Sequence, residues 1–557
     1  MPFRSIAARR LNPGQIIAHL LIGLPTLGGL AVTLAAAFGY LPALGGATLG
    51  LDAWRRLFAE PGLMATLGLT LRVGFAATAL SLALALALLA ASSSRRLDPL
   101  LAPLIASPHS AVAVGLAFLI APSGWIVRLL SPWASGWTMP PDIAIVGDPA
   151  GLSLTLGLVL KETPFLTAVG LAALRQFPAR AQMQAARSLG YAPATAFALV
   201  VAPQLYPRIR LPVFAVLAYS LSVVDMALVL APSHPAPLSL LALRWLESPQ
   251  LDDVFPGEAA AALQLGLVVA GFALWRVGEV LAGGWVRSRV GRRWGWPAVA
   301  IPALSALGAA LLALGLASLL GLAVWSFAWR WPFPAALPES WSLDLAGRQM
   351  SRLSGPLGAT VALALTTSAA SLALAVVWLE SEDRLGRRAA PSVIVLPLLA
   401  PQIAFLFGTQ TLFAWARIDG SFAAVAWAQS LFVFPYVWLA LADPWRALDS
   451  RYARAAAALG AGPLRRLIAV KLPILLAPLA LAFAIGVAVS VAQYLATLFA
   501  GGGRVATLTT EALALAGGGD RRLSAMLGLV QAVAPLAVYG AAFALPRIAF
   551  ARRRGLA

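Results

Sequence analysis

Three ionisable residues lie inside long apolar stretches of this sequence, where a charge is costly. Lys161 and Glu162 stand together in the stretch 152–174, and Asp225 lies in the stretch 205–231. Within a lipid bilayer such groups pair with neighbouring helices or mark a pathway for polar solutes. Lys161 and Glu162 could therefore be a structural pair, or one of them could line a pathway. Asp225 could form a helix–helix hydrogen bond or attract a cationic substrate.

The C-terminal half of the chain has residues near the positions equivalent to these three, and two of them complete the set of candidate pathway residues. Gln493 and Tyr494 correspond to Asp225, whereas the apolar Phe432 and Val433 correspond to the charged pair. A repeated fold would therefore not require the charges. The candidate pathway residues are Lys161, Glu162, Asp225, Gln493 and Tyr494.

The sequence contains no combination of residues that is typical of an enzyme. It has no cysteine, which excludes thiolate ligands, and its three histidines lie far apart, which disfavours a zinc site. A phosphate-binding loop needs glycines directly before its lysine, and neither Lys161 nor Lys471 follows a glycine. We therefore expect no catalytic residue, no cofactor and no metal, and we expect any ATP to be bound by another polypeptide.

Two polar loops match each other at a fixed offset of 270 residues. Each has an alanine-rich segment, then a glycine suited to a left-handed helix end, then a proline suited to start the next helix. The glycines are Gly190 and Gly460, and the prolines are Pro193 and Pro463. Each loop would project one short helix from the membrane. Two such helices would suit a partner with two-fold symmetry. An ordinary basic loop is the alternative.

These residues resemble the loop signature of the permease subunits of bacterial binding-protein-dependent ABC importers. The signature is Glu-Ala-Ala, three residues, Gly, nine residues and Ile-x-Leu-Pro; here Gln184 and Arg454 replace the glutamate. The resemblance implies that each loop forms a coupling helix in a groove of an ATPase subunit. The residues it assigns to this contact are Gln184, Ala185, Ala186, Gly190, Pro203, Arg454, Ala455, Ala456, Gly460 and Pro473.

Two permease copies in one chain resemble the thiamine- and ferric-iron-type members of this family. The stretches 161–165, 222–225 and 507–512 are most similar to the YnjC-type permeases. The resemblance implies an ATP-binding subunit dimer and a periplasmic substrate-binding protein as partners, the latter received by loops near 123–148 and 232–258. It favours a small thiamine-like or ferric-iron-like cation as substrate. The residues themselves also leave a polyamine or an anion such as sulfate open.

The composition places most of the chain in lipid. Its 557 residues are 60% hydrophobic and 11% charged, whereas about a quarter of a soluble domain is charged. Apolar stretches of about 20 residues, enough to cross a bilayer, recur throughout. We predict an all-α polytopic membrane protein with two parallel six-helix repeats, 1–295 and 296–557. Its twelve spans lie near 16–38, 66–91, 100–121, 152–174, 205–231, 259–281, 298–328, 357–379, 391–416, 421–442, 475–500 and 523–546.

The distribution of arginine predicts the orientation. The net charge is +19, and the basic residues concentrate in loops on one side of the predicted spans. That side includes Arg4, Arg9, Arg10 and Arg552–Arg554, as well as both matched loops. By the positive-inside rule it is cytoplasmic. We therefore expect a multi-pass protein of the bacterial inner membrane with both termini in the cytoplasm, and no nucleic-acid partner.

Transport by an ABC importer is the function that the sequence favours. Closure of the ATPase subunits around ATP would move the loops and shift the spans between inward- and outward-facing states. A twelve-span transporter driven by an ion gradient is the alternative, because parallel repeats occur in that class too. A membrane-embedded enzyme lacks candidate catalytic residues. We interpret His109, beside Pro108, and the tryptophans as anchors at the membrane interface.

Overall fold

The structure is a computed structural model that describes residues 13–91, 94–291, 294–386, 388, 393–518 and 520–551. The terminal basic clusters Arg4–Arg10 and Arg552–Arg554, on which the predicted orientation partly depends, lie outside these residues. Alanine and leucine, both strong helix formers, dominate the described segments. Helices suit a lipid environment because they bond every backbone N–H and C=O within the element.

The N-terminal half, up to residue 287, consists of helices separated by short breaks and loops. These helices are α1 (Pro13–Ala18), α2 (Leu24–Ala37), α3 (Asp52–Phe58), α4 (Leu63–Ala91), α5 (Ser94–Ala106), α6 (His109–Ile120), α7 (Trp125–Leu130), α8 (Leu152–Leu174), α9 (Ala179–Ser188), α10 (Pro193–Ala196), α11 (Ala202–Ser222), α12 (Asp225–Leu230), α13 (Leu238–Leu246) and α14 (Val254–Arg287).

The C-terminal half, from residue 296, adds one antiparallel hairpin of β1 (Ala328–Arg330) and β2 (Ser340–Trp341). Its helices are α15 (Trp296–Phe327), α16 (Asp344–Leu385), α17 (Leu396–Leu399), α18 (Ile403–Trp415), α19 (Phe422–Ala447), α20 (Ser450–Ala458), α21 (Pro463–Arg466), α22 (Leu472–Ile474), α23 (Leu476–Val491), α24 (Leu495–Gly501), α25 (Leu508–Ala516) and α26 (Arg521–Ala549).

Among the described residues, nine helices are long and apolar enough to cross a membrane. A tenth is reached if Pro463–Ile474 and Leu476–Val491, which meet at a 79° bend, count as one span. The chain is therefore a polytopic all-α membrane protein, as the sequence predicts.

Four of the twelve predicted spans differ from a single continuous helix. The span near 205–231 is divided at Val223 and Val224 between α11 and α12, the span near 475–500 is divided between α23 and α24, and the span near 100–121 is interrupted between α5 and α6. The span near 391–416 contains α18, which has 13 residues and is short for a crossing. The layout with twelve spans therefore remains a prediction.

Several local structures recur 270 residues apart. π-helical turns occupy Phe197–Val201 and Leu467–Lys471, each after a loop that ends in a short helix. α13 and α25 each have nine residues, and the backbone N–H of each first residue donates to a threonine hydroxyl, Thr70 or Thr360, at 2.9 Å. The division into repeats 1–295 and 296–557 remains our proposal, and these matches support it.

The first long helix of each half packs against the other half. α2 lies against α18, and α15 lies against α4 and α6. Where α2 crosses α18, a Cβ on Gly408 would overlap the backbone of Gly29; where α15 crosses α6, a Cβ on Gly115 would overlap the carbonyl of Ser318. In lipid, where apolar burial does not drive helix association, such small residues permit the close packing that does.

Candidate functional site

The two matched loops turn at glycines in the same conformation. α9 and α20 each end two residues before a glycine, and Gly190 and Gly460 have φ angles of +86° and +80°. Their N–H groups donate to the carbonyls of Arg187 and Ala457, both at 2.9 Å. Since this left-handed conformation is strained for residues with a Cβ, each glycine ends its helix and redirects the chain into α10 or α21.

The tips of both loops project into solvent. Leu189 and Leu459, which precede the glycines, are 79% and 88% exposed. The two exposed leucines lie at the same position in both loops, beside the residues that the resemblance assigns to the ATPase contact. Of the predicted contact residues, Ala186 is buried and Ala456 and Pro473 are partly buried. The exposed ones are Gln184, Ala185, Gly190, Pro203, Arg454, Ala455 and Gly460.

Lys161 is enclosed by backbone oxygens. The break between α5 and α6 falls at Ser107 and Pro108, and Pro108 has no N–H to offer to the carbonyl of Leu104, four residues before it. The Lys161 Nζ donates instead to the carbonyl oxygens of Leu104 (2.5 Å), Ile105 (3.1 Å) and Ser107. An ammonium has three protons, and the side chain is buried. Lys161 therefore stabilises a helix break.

Glu162 and Asp225 lie at the two ends of a row of four polar side chains. Glu162 Oε1 lies 3.1 Å from His109 Nε2, and the His109 and Tyr219 rings are in contact, with centroids 4.5 Å apart. The Tyr219 hydroxyl donates to Asp225 Oδ1 at 2.7 Å, and the Met226 N–H donates to the same oxygen at 2.9 Å. Glu162 is buried, whereas His109, Tyr219 and Asp225 are partly exposed. We call these four side chains the polar row.

Two tyrosines of the C-terminal half approach the polar row. Tyr494 interacts electrostatically with Glu247 and Asp225, and Tyr436 with Glu162. Tyr494 stands in the break between α23 and α24, just as Asp225 follows the break after α11. Gln493 beside it is buried, and its Oε1 has no hydrogen-bond partner among the described residues.

The structure thus brings together part of the predicted pathway set. Glu162 and Asp225 belong to the polar row, Tyr494 interacts electrostatically with Asp225, Gln493 precedes Tyr494 in the chain, and Lys161 is bound at the α5–α6 break. Broken helices near the middle of a bilayer are typical of substrate sites in transporters, because they expose backbone polar groups there. Across the described residues, no three His, Asp or Glu side chains are grouped so as to hold a metal ion.

Sequence reasoning missed the role of His109. Interpreted as an interface anchor, it lies instead within the polar row, 3.1 Å from Glu162. The available signal was Pro108 inside a predicted span, which ends α5 and makes His109 the first residue of α6. Tyr219 and Tyr436 gave no such signal, since an aromatic residue in an apolar stretch is typical of ordinary packing.

Asp148, in the loop before α8, holds the beginning of the helix that carries Glu162. Its Oδ2 accepts from the Leu152 N–H and its Oδ1 from the Ser153 N–H and hydroxyl, all at 2.8 Å. Burial raises the pKa of Asp148, but the hydrogen bonds from Ser153 and Leu152 outweigh it and leave the pKa below its usual value. The carboxylate is therefore a charged cap for α8.

Comparison with known proteins gives one extended match. No family model matches this chain. Among curated proteins, the inner membrane ABC transporter permease protein YnjC of Escherichia coli (strain K12) is 31% identical to it over 499 residues. The match covers 88% of this chain and 90% of that protein, so it extends over most of both.

Proposed function

The chain belongs to the YnjC family of inner membrane ABC transporter permeases, and we propose that it forms the translocation pathway of an importer powered by a separate ATPase. Family membership confirms the YnjC-type resemblance and makes the chain a multi-pass permease subunit of the inner membrane. It also favours an ATP-driven transporter over the ion-gradient alternative. The importing direction and the solute belong to the proposal.

The matched loops are the proposed contacts with the ATP-binding subunits. Their support is geometric: two helices of similar length, α9 and α20, end in the same glycine conformation and present Leu189 and Leu459 to solvent. Two such loops suit a dimer of ATP-binding subunits on the cytoplasmic side. Both termini would lie on that side, and the loops near 123–148 and 232–258 would face a periplasmic substrate-binding protein.

The polar row is the proposed substrate region, and a small cation is the proposed substrate. One observation carries this: Asp225, a partly exposed carboxylate at a helix break, faces Tyr219 within the same region as Glu162 and Tyr494. Charge of one sign at the centre of a low-dielectric pathway attracts a solute of the other. A thiamine-like or a ferric-iron-like cation fits this charge, as the resemblance favours.

Purification of the full chain in mild detergent from its host, with identification of every co-purifying protein, tests the permease assignment. Recovery of a nucleotide-binding protein at two copies per chain is the expected result. Recovery of the chain alone, still able to drive uptake from an ion gradient in liposomes, would contradict it.

Asp225→Asn tests the substrate region in the reconstituted complex, with thiamine and ferric ion as the two probes. Loss of a charge-assisted contact worth about 1.5 kcal/mol or more should weaken the apparent affinity for the transported probe about tenfold. Asp52→Asn is the matched control, because Asp52 is exposed and pairs locally with Arg55. Unchanged uptake of both probes by the Asp225 variant would show that this carboxylate has a structural role and does not bind substrate.

A further inference from the structure

The last turns of α16 carry three acidic side chains that pair with cations from two other elements. Lys471, the last residue of the π-helical turn after the second matched loop, lies 2.6 Å from Glu380 and 2.7 Å from Asp383 through its Nζ. The lysine is 7% exposed. A buried lysine is costly unless it is paired and hydrogen-bonded, so these two contacts fix where the turn can lie.

The other end of the same loop is bound to the same part of α16. Arg446, at the end of α19, donates through two nitrogens to Glu382, with a shortest distance of 2.9 Å. Its neighbour Trp445 donates its Nε1–H to Asp383 at 3.0 Å. Segment 447–470, which contains α20, therefore leaves from and returns to a single ionic anchor. We call Glu380, Glu382, Asp383, Arg446 and Lys471 the α16 anchor.

The N-terminal half has no counterpart of the α16 anchor in its sequence. Val201 stands 270 residues before Lys471, and Ala90, Ser92 and Ser93 stand 290 residues before the three acids. None of these four residues can form an ion pair. Val201 is buried instead in an apolar cluster that includes Leu89. Apolar contacts of this kind have no fixed direction. The ion pairs of the α16 anchor, in contrast, have a defined direction.

We propose that Lys471 is a positioning residue that makes the second matched loop and α16 move as one body, while the first loop can shift relative to α4. This inference rests on the proposed function, in which both matched loops contact ATP-binding subunits. The two loops then pass on a displacement in different ways. Displacement of α20 is passed directly to α16, a long helix that packs against α19 and α23. Displacement of α9 reaches α4 through apolar contacts alone, although Gln182 of α9 exchanges hydrogen bonds with Gln204 of α11.

Distances between spin labels test the inference directly, since the chain has no cysteine of its own. One label pair uses Leu385→Cys at the end of α16 and Leu459→Cys at the tip of the second loop; both side chains are exposed. The matched pair in the N-terminal half uses Ala91→Cys and Leu189→Cys. Pulsed EPR is recorded on the full chain, and then on the complex with its co-purified ATPase, nucleotide-free and trapped with ATP and vanadate.

The expected result is a narrow 385–459 distance distribution that is the same in both nucleotide states, and a 91–189 distance that changes between them. Lys471→Met should broaden the 385–459 distribution in the chain alone, and Lys471→Arg should restore it. Arg384→Gln is the control: Arg384 also contacts Glu380, at 2.9 Å, but its side chain is 50% exposed. This variant should leave the distribution narrow.

Two results would overturn the inference: a narrow distribution in Lys471→Met, or a wild-type 385–459 distance that changes with nucleotide. If Lys471→Met fails to fold, the variant Lys471→Met with Glu380→Gln and Asp383→Asn removes the unpaired charges and should broaden the distribution in the same way. Failure to recover an ATPase would count against the proposed function only, because the widths are measured on the chain alone.

Discussion

Lys161 and Glu162 are adjacent in the chain and serve different purposes in the structure. The ammonium of Lys161 replaces hydrogen bonds lost where Pro108 ends α5, and its three partners are all backbone carbonyls. The carboxylate of Glu162 faces His109 at the edge of the proposed pathway. Removing each charge should therefore affect a different property.

Lys161→Met should destabilise the protein, because buried carbonyls left without a donor cost about 1–3 kcal/mol each. Glu162→Gln keeps the shape and a hydrogen-bonding oxygen, so it should leave stability nearly unchanged and reduce cation uptake. Thermal unfolding followed by tryptophan fluorescence, with uptake measured in parallel, separates the two effects. Equal stability of the Lys161 variant and the wild type would exclude its role at the helix break.

Asp148 provides a pH-dependent contribution to stability at the start of α8. Because its folded pKa lies below its unfolded value, of about 3.9, the charged cap stabilises the fold above that value. The contribution is lost as the pH falls through the folded pKa. Asp148→Asn should therefore cost about 1 kcal/mol at pH 7, as loss of a helix cap does.

Thermal unfolding of wild type and Asp148→Asn at pH 7 and near pH 3 measures this contribution. The difference between the two proteins should shrink at the lower pH, because pH 3 lies below the unfolded pKa of about 3.9 and the folded pKa is approached. Asp52→Asn again provides the exposed control. A difference that stays constant with pH would show that the charge of Asp148 is not what caps α8.

The intramembrane charges could be found from the sequence, but their partners could not. Lys161, Glu162 and Asp225 are conspicuous because charges are rare in apolar stretches. His109 and Tyr219 lie 53 residues before Glu162 and six residues before Asp225 in the chain, and no periodicity links the first of these distances to a contact. Only the packing of α6 against α8 and α12 brings the polar row together.

Helix breaks are the elements that shape the candidate site, and they differ in how well the sequence reveals them. Pro108 marks the break between α5 and α6, although a proline inside an apolar stretch is also compatible with a kinked span. The break after α11 falls at Val223 and Val224, which carry no turn signal. The turns at Gly190 and Gly460 were predictable in type and position because left-handed geometry favours glycine.

Gly190→Val and Gly460→Val, combined, should abolish ATP-driven transport and leave membrane insertion intact. An added Cβ at either position meets nothing within 4 Å, so the effect arises from the backbone alone. A left-handed conformation costs about 1–2 kcal/mol for a residue with a Cβ, which is enough to redirect an exposed loop. Uptake and the amount of inserted protein are the two measurements.

Gly278→Val is the control for this pair of substitutions. Gly278 lies within α14, has no positive φ and also has open space around an added Cβ. This variant should transport normally. Normal uptake by the Gly190 and Gly460 double variant would instead show that the loops do not transmit the motion of the ATPase.

At the scale of the whole molecule, the two halves hold each other through exchanged helices. α2 is in close contact with α18 at Gly29 and Gly408, where Thr409 also donates to the Pro25 carbonyl at 3.1 Å. α15 makes the corresponding contact with α6 at Gly115. Hydropathy locates most of the long helices, but it contains no information about which half each one packs against. This arrangement therefore had to come from the structure.

The exchange predicts that the covalent link between the halves is dispensable for assembly. If the chain is cut between Val290 and Gly291 and both parts are expressed together, α2 and α15 still bind across the division, because their contacts lie within the membrane-spanning helices. An affinity tag on one part should therefore recover the other in equal amount. Removing residues 1–38 from the N-terminal part should reduce recovery, since the contact of α2 with α18 is then lost while α15 still binds α4 and α6. Two parts that purify separately, each stable alone, would mean that the halves are independent bodies and that the exchanged helices contribute little to holding them together.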